Sequence, residues 1–326
     1  MKKLITLFLF LNLYTVAFNQ TLTGAVLDEE TNMSIPYATV YINGTFTGTS
    51  CDKYGKFELD ITKYNSMPIT VSAVGYYSAV LNPTTFSDTE NLSLFLTPKV
   101  FKLDETQVNA KSLVSKRRRY LNLFKEEFLG TTENAIQCEI MNEKDITFNY
   151  NSDKDTLKAY ASQPIMIENK ALGYKITYYL DKFEYNKLKE ATFFCGNIKF
   201  TEDVSDGPTQ NYFIDKRKAV YLGSRTHFFR ALWQNALKSN GFTVTDPNYK
   251  YLKDKSLVIQ NNEGNKFLSY PQMIRVSYKS DSYIFFLKKY VYFDKMGYFD
   301  PSGINWTGNM GNQRIADWLP LEYEIQ

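Results

Sequence analysis

Histidine and cysteine are scarce in this sequence. Among 326 residues there is one histidine, His227, and there are three cysteines, Cys51, Cys138 and Cys195. None of these residues shows the short, repeated spacing of a metal-binding motif. No phosphate-binding glycine loop, dinucleotide-binding fingerprint or G-x-S-x-G nucleophile motif occurs either. The sequence therefore predicts no metal site and no organic cofactor, and no motif assigns a catalytic residue.

An excess of charge of one sign is also lacking. The chain has 38 basic and 35 acidic residues, and without Lys2 and Lys3 the balance is 36 − 35, or +1. Because nucleic-acid-binding proteins usually present a strongly basic field, we expect no nucleic-acid partner. Aromatic residues are plentiful, with 25 Tyr, 24 Phe and 3 Trp, and this composition favours β-strands.

The longest apolar run lies at the start of the chain. Lys2 and Lys3 precede an apolar segment over residues 4–18, and its end carries two small-x-small cleavage sites, Thr15/Ala17 and Ala17/Asn19. The run is shorter than the ~20 residues of a membrane-spanning helix, so it predicts a cleaved signal peptide over residues 1–20. We expect an exported protein, in the periplasm or associated with the outer membrane rather than extracellular, with no transmembrane span after cleavage.

Export permits disulfide bonds. Cys138 and Cys195 fall in the same predicted domain, where they either form a bridge or remain as two buried thiols. Cys51 lies in a predicted turn, apart from both.

Residues 21–98 consist of short runs in which apolar and polar residues alternate. In residues 38–43, Ala38, Val40 and Ile42 share one face, and the same period of two recurs in residues 56–61, 69–73 and 92–96. Turn pairs such as Asn43-Gly44 separate the runs. About seven short strands in this length predict a small antiparallel β-sandwich.

The segment GAVLDEETNMSIPYATVYINGTFTGTSCDKYGKFELDI, followed by ITVSAVGYYS, resembles the carboxypeptidase regulatory-like (transthyretin-like) domain at the front of many Bacteroidota envelope proteins. The matching residues are Gly24, Val26, Asp28, 35–40, Gly48, Thr49, Asp52, 55–57, Gly75 and Tyr76. We expect Asp52 to bond backbone amides of the turn that Gly55 completes, and Gly75 to permit a bend before Tyr76. Cys51 stands where the family usually has threonine. The resemblance implies a β-sandwich and no particular function, because such modules accompany many partners.

The family's name does not imply peptidase activity in this chain. A zinc carboxypeptidase site needs two histidine ligands and a carboxylate. This sequence has one histidine, so zinc carboxypeptidase activity is excluded.

Residues 99–111 are predicted to form a linker. Within it, residues 103–108 resemble the short strand that follows this module in TonB-dependent outer-membrane receptors. An intact receptor is excluded by length: a 22-stranded barrel needs about 220 residues for its strands alone, whereas 326 − 111, or 215, residues follow Lys111.

Residues 112–326 predict an α+β domain with an antiparallel sheet and a few helices. One amphipathic helix begins near Ser115 and stops at Gly130, and another is capped by Ser224 and runs to about Ser239. Strand-like runs occupy residues 146–150, 157–161, 164–167, 174–180, 193–200, 257–259, 273–278 and 282–293. Segments such as FLGTTENAIQCEIMN and ADWLPLEY resemble an unassigned region that follows the same sandwich in other exported Bacteroidota proteins, which implies no activity.

Candidate binding residues in this second domain are aromatic and basic side chains. They are Tyr174, Tyr178, Arg225, His227, Arg230, Trp306, Arg314 and Trp318. Although His227 follows Ser224 closely, a nucleophilic Ser/His pair is not predicted, because Ser224 is needed as the helix cap. Carboxylate pairs, such as Glu168 with Asp181 or Asp181 with Glu184, would suit glycoside hydrolysis, but pairs of this kind arise by chance among 35 acidic residues.

The sequence therefore favours a non-enzymatic, exported binding or adaptor protein of the cell envelope. Its sandwich would act as a docking or spacer module, and its partner would be an envelope protein or a glycan. Two alternatives stay open: a carboxylate-dependent glycan hydrolase, and an accessory protein of a TonB-dependent outer-membrane uptake system.

Overall fold

The computed structural model describes residues 20–64, 67–82, 89–99, 110–202 and 210–325. Residues 1–19 of the predicted signal peptide and the receptor-like segment 103–108 lie outside these ranges. The described chain is mainly β, with several antiparallel sheets and few helices, which confirms the predicted fold class. None of the described helices combines the length and the apolar character needed to cross a membrane.

Seven strands between residues 21 and 96 form two facing sheets. They are β1 Thr21–Asp28, β2 Thr39–Ile42, β3 Gly48–Ser50, β4 Lys56–Asp60, β5 Ile69–Ser72, β6 Ala79–Leu81 and β7 Leu92–Leu96. The sheet orders are β4-β1-β7 and β3-β2-β5-β6. Alternate apolar residues such as Leu22, Val26 and Val40 fill the core between the sheets, as a sandwich requires. The predicted sandwich is confirmed, but β1 and β7 run parallel, so the expectation of purely antiparallel pairing is wrong for this pair.

Two turn predictions in the sandwich are confirmed. The Asp52 carboxylate accepts the N–H groups of Tyr54 and Lys56 at 2.8 and 2.9 Å, and Gly55 closes this turn with φ +73. Gly75 has φ +84 and precedes Tyr76, whose hydroxyl donates to Asp28 at 2.8 Å.

In the sheet β3-β2-β5-β6, the two central strands β2 and β5 are buried on their outer face as well as on their inner face. Tyr41 is 0% exposed, Thr70 0% and Ser72 1%. The Tyr41 ring stacks on Tyr179 of the second domain at 5.4 Å between centroids, and the Tyr179 hydroxyl donates to Thr39 at 3.0 Å. The alternation in residues 38–43 and 69–73 is typical of strands with one solvated face, but β2 and β5 are buried on both faces, and Tyr179 of the second domain covers Tyr41.

The central sheet of the second domain combines six strands with a long helix. Its elements are α1 Ala110–Leu129, α2 Glu133–Ile136, β8 Cys138–Ile140, β9 Ile146–Asn151, β10 Thr156–Ala161, β11 Ile165–Asn169, β12 Tyr174–Asn186 and β13 Ala191–Glu202. β12 pairs with β10 and β11 along one edge and with β13 along the other. The ring of Phe124 on α1 packs against Phe183 with 4.7 Å between ring centroids, and the ring of Phe128 packs against Tyr178 with 4.9 Å between centroids. The predicted helix is confirmed and stops just before Gly130, where φ is +103, but it begins at Ala110 rather than near Ser115.

A third hydrophobic core forms from residues 225–310. The remaining elements are α3 Gln210–Tyr221, α4 Arg225–Trp233, α5 Asp254–Leu257, β14 Thr243–Thr245, β15 Val258–Gln260, β16 Lys266–Leu268, β17 Ile274–Tyr278, β18 Ser280–Phe286, β19 Val291–Phe293 and β20 Ile304–Gly308. They build the sheets β14-β17-β18-β20 and β15-β16-β19 around α4. The segment 112–326 thus contains two cores.

Two predicted elements of this third core have different bounds in the structure. Ser224 caps α4 as predicted, but the helix stops at Trp233 rather than near Ser239, because Asn235 adopts φ +53. The predicted strand 282–293 is two strands, because the chain leaves the sheet at Leu287, whose N–H donates to Gly303.

The three cysteines are free thiols. Cys138 pairs with Asn169, Asn169 with Tyr174, and Tyr174 with Glu202, so Cys138 lies three strands across from β13, on which Cys195 is 202 − 195, or seven, residues farther along. At about 4.8 Å per strand and 3.3 Å per residue, the separation far exceeds the ~7 Å between Cα atoms that a disulfide tolerates. The two thiols are unpaired, as the second alternative has it, but the expectation that both are buried is wrong: Cys138 is half-buried and Cys195 is exposed.

Candidate functional site

The turn between β2 and β3 joins the sandwich to the rest of the chain. The Asn43 side-chain oxygen accepts the N–H of Ile198 on β13 at 2.7 Å, and the Gly44 N–H donates to the Ile198 carbonyl at 2.8 Å. On its other side, the Gly44 carbonyl accepts the N–H of Leu321 at 2.8 Å. The Asn43-Gly44 turn seen in the sequence is therefore the point at which sandwich, central sheet and C-terminal segment meet.

Glu322 strengthens this contact from the C-terminal segment. Its Oε1 accepts the N–H of Phe46 at 2.8 Å and the hydroxyl of Tyr64 at 2.7 Å. Its Oε2 is buried and has no hydrogen-bond partner among the described residues. One carboxylate oxygen is thus fixed to the sandwich, and the other is unsatisfied.

A cavity of about 340 Å³ opens beside Glu322. We call it the junction cavity, because its walls come from all the parts that meet there: Phe46, Tyr174, Glu202, Arg217, Glu322 and Tyr323. Its volume falls at the lower end of the range typical of small-molecule sites, about 300–1,000 Å³.

Arg217 is held rigidly at the edge of the junction cavity. Its Nε donates to the Leu172 carbonyl at 2.8 Å, its Nη2 to the Gly173 carbonyl at 3.4 Å, and its Nη1 to Glu202 at 2.9 Å. The guanidinium also covers one face of the Tyr174 ring at 4.1 Å. The positive charge of Arg217 is therefore already paired within the protein.

Comparison with known proteins assigns the N-terminal sandwich to a domain family. Residues 22–108 match the family model of the CarboxypepD_reg-like domain. The sandwich is a CarboxypepD_reg-like domain. The match confirms the family resemblance and extends ten residues past the predicted boundary at 98.

No other comparison adds to the CarboxypepD_reg-like assignment. A 9R-lipoxygenase crystal structure from Cyanothece PCC8801 is similar to this chain at 10% identity, 68% coverage of this chain and a TM-score of 0.19, and the chain spans 48% of that enzyme. A likeness at this TM-score carries no structural argument. No curated protein matches the chain.

Two of the predicted binding residues are core residues. Tyr174 is 2% exposed and Tyr178 1%, so both rings are buried. Tyr178 packs against Phe128, whereas the ring of Tyr174 reaches the wall of the junction cavity. Of the eight predicted residues, Tyr174 is the one that lines this cavity.

Arg225 and Arg314 hold one turn of the backbone. Arg225 donates through Nε and Nη2 to the Met310 carbonyl at 2.9 and 2.6 Å. Arg314 donates to the adjacent Gly311 carbonyl at 2.6 Å and to the Glu127 carbonyl at the end of α1 at 2.9 Å. Burial, together with the nearby Arg314 charge, lowers the pKa of Arg225 to about 10. Both side chains thus satisfy carbonyl groups where the two cores of the second domain join.

The two predicted tryptophans also pack within the fold. Trp306 contacts the ring of Phe228 at 6.2 Å, and the Arg225 guanidinium lies 5.7 Å from it. Trp318 stacks on Phe194 at 6.4 Å. Both rings are partly exposed, and neither lines the junction cavity.

His227 is buried within the third core. Its Nδ1 accepts the N–H of Gly223 at 3.1 Å, and its Nε2 lies 3.4 Å from the Asn240 side-chain oxygen. This arrangement suits the neutral imidazole, and burial lowers the pKa of His227. Ser224 Oγ accepts the backbone N–H of His227 at 3.1 Å and serves as the helix cap, as the sequence predicts.

Arg230 connects the third core to the C-terminal segment. Its three donors reach three carbonyl groups: Met296 at 2.9 Å, Leu321 at 2.7 Å and Tyr323 at 2.5 Å. Leu321 is the residue that bonds Gly44 of the CarboxypepD_reg-like domain. Arg230 does not line the junction cavity, but it holds the C-terminal segment that forms one of the cavity walls.

Asp294 shapes the turn that presents Met296 to Arg230, and it makes stability depend on pH. Its Oδ1 accepts the N–H groups of Met296 and Tyr298, and burial raises the pKa of Asp294 to about 6 from 3.8. A raised folded pKa means that ionisation opposes folding, so this carboxyl reduces stability as pH rises from about 4 to above 6.

We therefore expect Asp294→Asn, which keeps the Oδ1 acceptor and removes the charge, to gain about 1 kcal/mol over the wild type between pH 5 and pH 8. Urea unfolding of both proteins at the two pH values measures this. His227 has the opposite effect, because its lowered pKa reduces stability as pH falls below about 6.5. Both proteins contain His227, so its contribution cancels when their free energies of unfolding are compared at the same pH. An identical pH dependence in the two proteins would contradict the assignment.

The carboxylates of the predicted pairs do not line the junction cavity, and each of them is ion-paired. Glu168 pairs with Lys170 at 3.5 Å, Asp181 with Lys99 at 3.6 Å and Glu184 with Lys182 at 3.1 Å. The carboxylates that line the junction cavity are instead Glu202, Glu322 and Glu324, and the first two are 120 residues apart (322 − 202) in the sequence. In the described part of the chain, no three His, Cys, Asp or Glu side chains are grouped to hold a metal ion.

Most of the cavity residues are absent from the sequence-based predictions. Phe46, Glu202, Arg217 and Glu322 come from four segments and share no spacing. The one local signal near them is the Asn43-Gly44 turn, which the sequence identifies as a turn but not as an attachment point.

Proposed function

We propose that this chain is an exported binding or adaptor protein of the cell envelope, in which the CarboxypepD_reg-like domain docks the second domain and completes its binding site. The observation that supports this role is the junction cavity. Its walls include Phe46 from the sandwich and Tyr174 and Glu322 from the second domain. A docking module that also supplies part of the site explains why its polar outer face is buried rather than free.

The cavity is built more for recognition than for chemistry. Glu202 is paired with Arg217, and one oxygen of Glu322 already accepts two hydrogen bonds from the sandwich. Side chains held in this way give a preorganised site, and preorganisation improves affinity by reducing the ordering cost of binding. A carboxylate-dependent hydrolase is the second candidate, because Glu202 and Glu322 line the same cavity and such enzymes use two carboxylates.

A pull-down from native envelope tests the binding role. Protein lacking residues 1–20 is expected to recover a reproducible envelope component, and Glu322→Gln is expected to recover less of it. The control is Glu126→Gln, which changes an exposed residue on α1. Recovery of a TonB-type receptor would assign the protein to outer-membrane uptake. Turnover of a glycan panel that depends on Glu202 and Glu322, with no component recovered, would overturn the binding role in favour of a hydrolase.

Export is tested by cell fractionation. The full chain with a C-terminal tag is expected in the envelope fraction, shortened by about twenty residues. A variant lacking residues 2–18 is expected to stay in the cytoplasm. Equal distribution of the two proteins would refute export by this segment.

A further inference from the structure

The first half of helix α1 carries a cluster of exposed positive charge. Lys116, Arg118 and Arg119 are all exposed, and none of the residues 114–119 is buried. Among the side chains of α1 that the structure describes, the buried ones begin at Phe124. The three exposed cations, which we call the α1 basic patch, therefore lie on a helix segment that stands clear of the core.

The charges of the α1 basic patch are not neutralised along the helix. Exposed helix faces are usually stabilised by pairs of opposite charge three or four residues apart. The positions three and four residues before and after each patch residue hold no Asp or Glu. Lys116 and Arg119 are themselves three residues apart, so their like charges repel. A solvated face of the usual kind would carry acidic partners at these positions.

The carboxylates beside α1 have other partners. Arg117 donates to the Glu143 carbonyl at 2.8 Å, which brings this turn next to the patch. The Glu143 carboxylate is ion-paired with Lys125, and the Asp145 carboxylate accepts from the Asn142 amide at 3.0 Å. Within the described part of the chain, no ion pair involves a patch residue. The patch thus has no counter-charge of its own, and an anionic surface is complementary to it.

Apolar and aromatic side chains adjoin the α1 basic patch. Val114 is 71% exposed and lies four residues (118 − 114) before Arg118 on the same helix. The Arg119 guanidinium lies 5.2 Å from the ring centroid of Tyr120, and this ring stacks on the partly exposed Tyr150. Helices that rest on membranes combine cations with exposed apolar residues in this way. The charges alone fit any anion, whereas Val114 favours a surface with an apolar layer beneath its charged groups, which is a lipid bilayer.

From these features we infer that the α1 basic patch docks this protein on a membrane surface that contains anionic phospholipids. In the docked state, the three cations contact the phosphate groups, and Val114 enters the boundary between headgroups and acyl chains. The inference goes beyond the proposed function, because none of the described α1 residues lines the junction cavity. A protein docked in this way presents that cavity separately to its envelope partner.

Sedimentation with lipid vesicles tests this inference. Protein lacking residues 1–20 is expected to bind vesicles of phosphatidylcholine that contain about one third phosphatidylglycerol. Binding to vesicles of pure phosphatidylcholine should be at least tenfold weaker, since each basic residue near an anionic surface strengthens binding about fivefold. Added salt should weaken binding to the anionic vesicles, because salt screens the attraction.

Two triple variants of equal net charge separate the patch from the overall charge of the protein. The decisive variant combines Lys116→Gln, Arg118→Gln and Arg119→Gln. The matched control changes three exposed lysines outside α1: Lys238→Gln, Lys255→Gln and Lys295→Gln. Affinity for the anionic vesicles should fall at least tenfold in the patch variant and less than twofold in the control. Circular dichroism checks that both variants are folded.

Val114→Ser tests the apolar part of the contact. It removes no charge, so the salt dependence of vesicle binding should be unchanged, whereas the affinity should fall severalfold because less apolar surface is buried. Soluble polyglutamate, which offers charge without an apolar layer, should bind at least tenfold more weakly than the anionic vesicles.

Three outcomes overturn docking on lipid. Equal loss of vesicle binding in the two triple variants would show that overall charge, not the patch, is responsible. Polyglutamate binding as tight as vesicle binding, with no effect of Val114→Ser, would identify an acidic polypeptide as the partner. Failure of the wild type to bind the anionic vesicles would also refute docking, whereas recovery of an envelope component that depends on Glu322 would still support the proposed function.

Discussion

Replacing Arg230 with methionine is expected to lower the free energy of unfolding by about 3–5 kcal/mol. Methionine keeps much of the apolar stem but removes every donor. The carbonyl groups of Met296, Leu321 and Tyr323 then lose a charged partner together, and hydrogen bonds to charged groups are worth about 1.5–3 kcal/mol each. Because these losses are not independent, we expect less than their sum.

The measurement is urea unfolding followed by tryptophan fluorescence, since Trp233 and Trp306 pack against the third core. Arg118→Met is the matched control, because Arg118 is exposed on α1 and its loss should change stability by less than about 0.5 kcal/mol. Arg230→Lys should recover part of the loss, since one ammonium cannot match the fork of a guanidinium. Equal stability of Arg230→Met and the wild type would contradict the role assigned to Arg230.

Arg230→Met should also disturb the shape of the junction cavity. Arg230 holds the carbonyls of Leu321 and Tyr323, and Glu322 lies between them. Loss of the anchor allows the C-terminal segment to leave Gly44 and Phe46, so Arg230→Met should recover less of the envelope component in the pull-down. In this way a residue outside the cavity controls its shape.

The sequence predicts the sandwich well because its signals are local. Alternation in residues 38–43 places Val40 in the core, and the turn residues Asp52 and Gly55 act within a few positions of each other. The burial of Tyr41 and Ser72 could not be predicted in this way. Their polar face is indistinguishable from a solvated one until Tyr179, 138 residues (179 − 41) away in the sequence, covers it.

The site was harder to predict for the same reason. The sequence favours arginine and aromatic residues as binding residues because such residues are common at binding surfaces. In this fold Arg225, Arg230 and Arg314 instead bond to backbone carbonyls at irregular joins. The sequence does not predict helix α3, which carries Arg217, because the pattern of apolar residues in this helix is weak. No local pattern distinguishes an arginine that binds a ligand from one that binds a carbonyl.

Two glycines of the CarboxypepD_reg-like motif should differ sharply on replacement by alanine. A Cβ on Gly24 would lie 2.2 Å from the backbone oxygen of Leu92. Gly24 is on β1, between β4 and β7, so the strand cannot move away from one neighbour without meeting the other. We expect Gly24→Ala to lower the free energy of unfolding by about 3 kcal/mol, at the upper end of overpacking effects.

Gly75→Ala is the internal comparison. A Cβ on Gly75 meets nothing within 4 Å, but the residue has φ +84, and this conformation costs an L-residue about 1–2 kcal/mol. Gly75→Ala should therefore lower the free energy of unfolding by about 1 kcal/mol. Gly24→Ala is expected to be the more destabilising variant, because crowding at Gly24 costs more than the backbone conformation at Gly75. Thermal unfolding of the full chain measures both. If Gly75→Ala proves the more harmful, β1 and β7 are not packed as closely as the structure has them, and the glycine at the start of the motif serves some purpose other than strand contact.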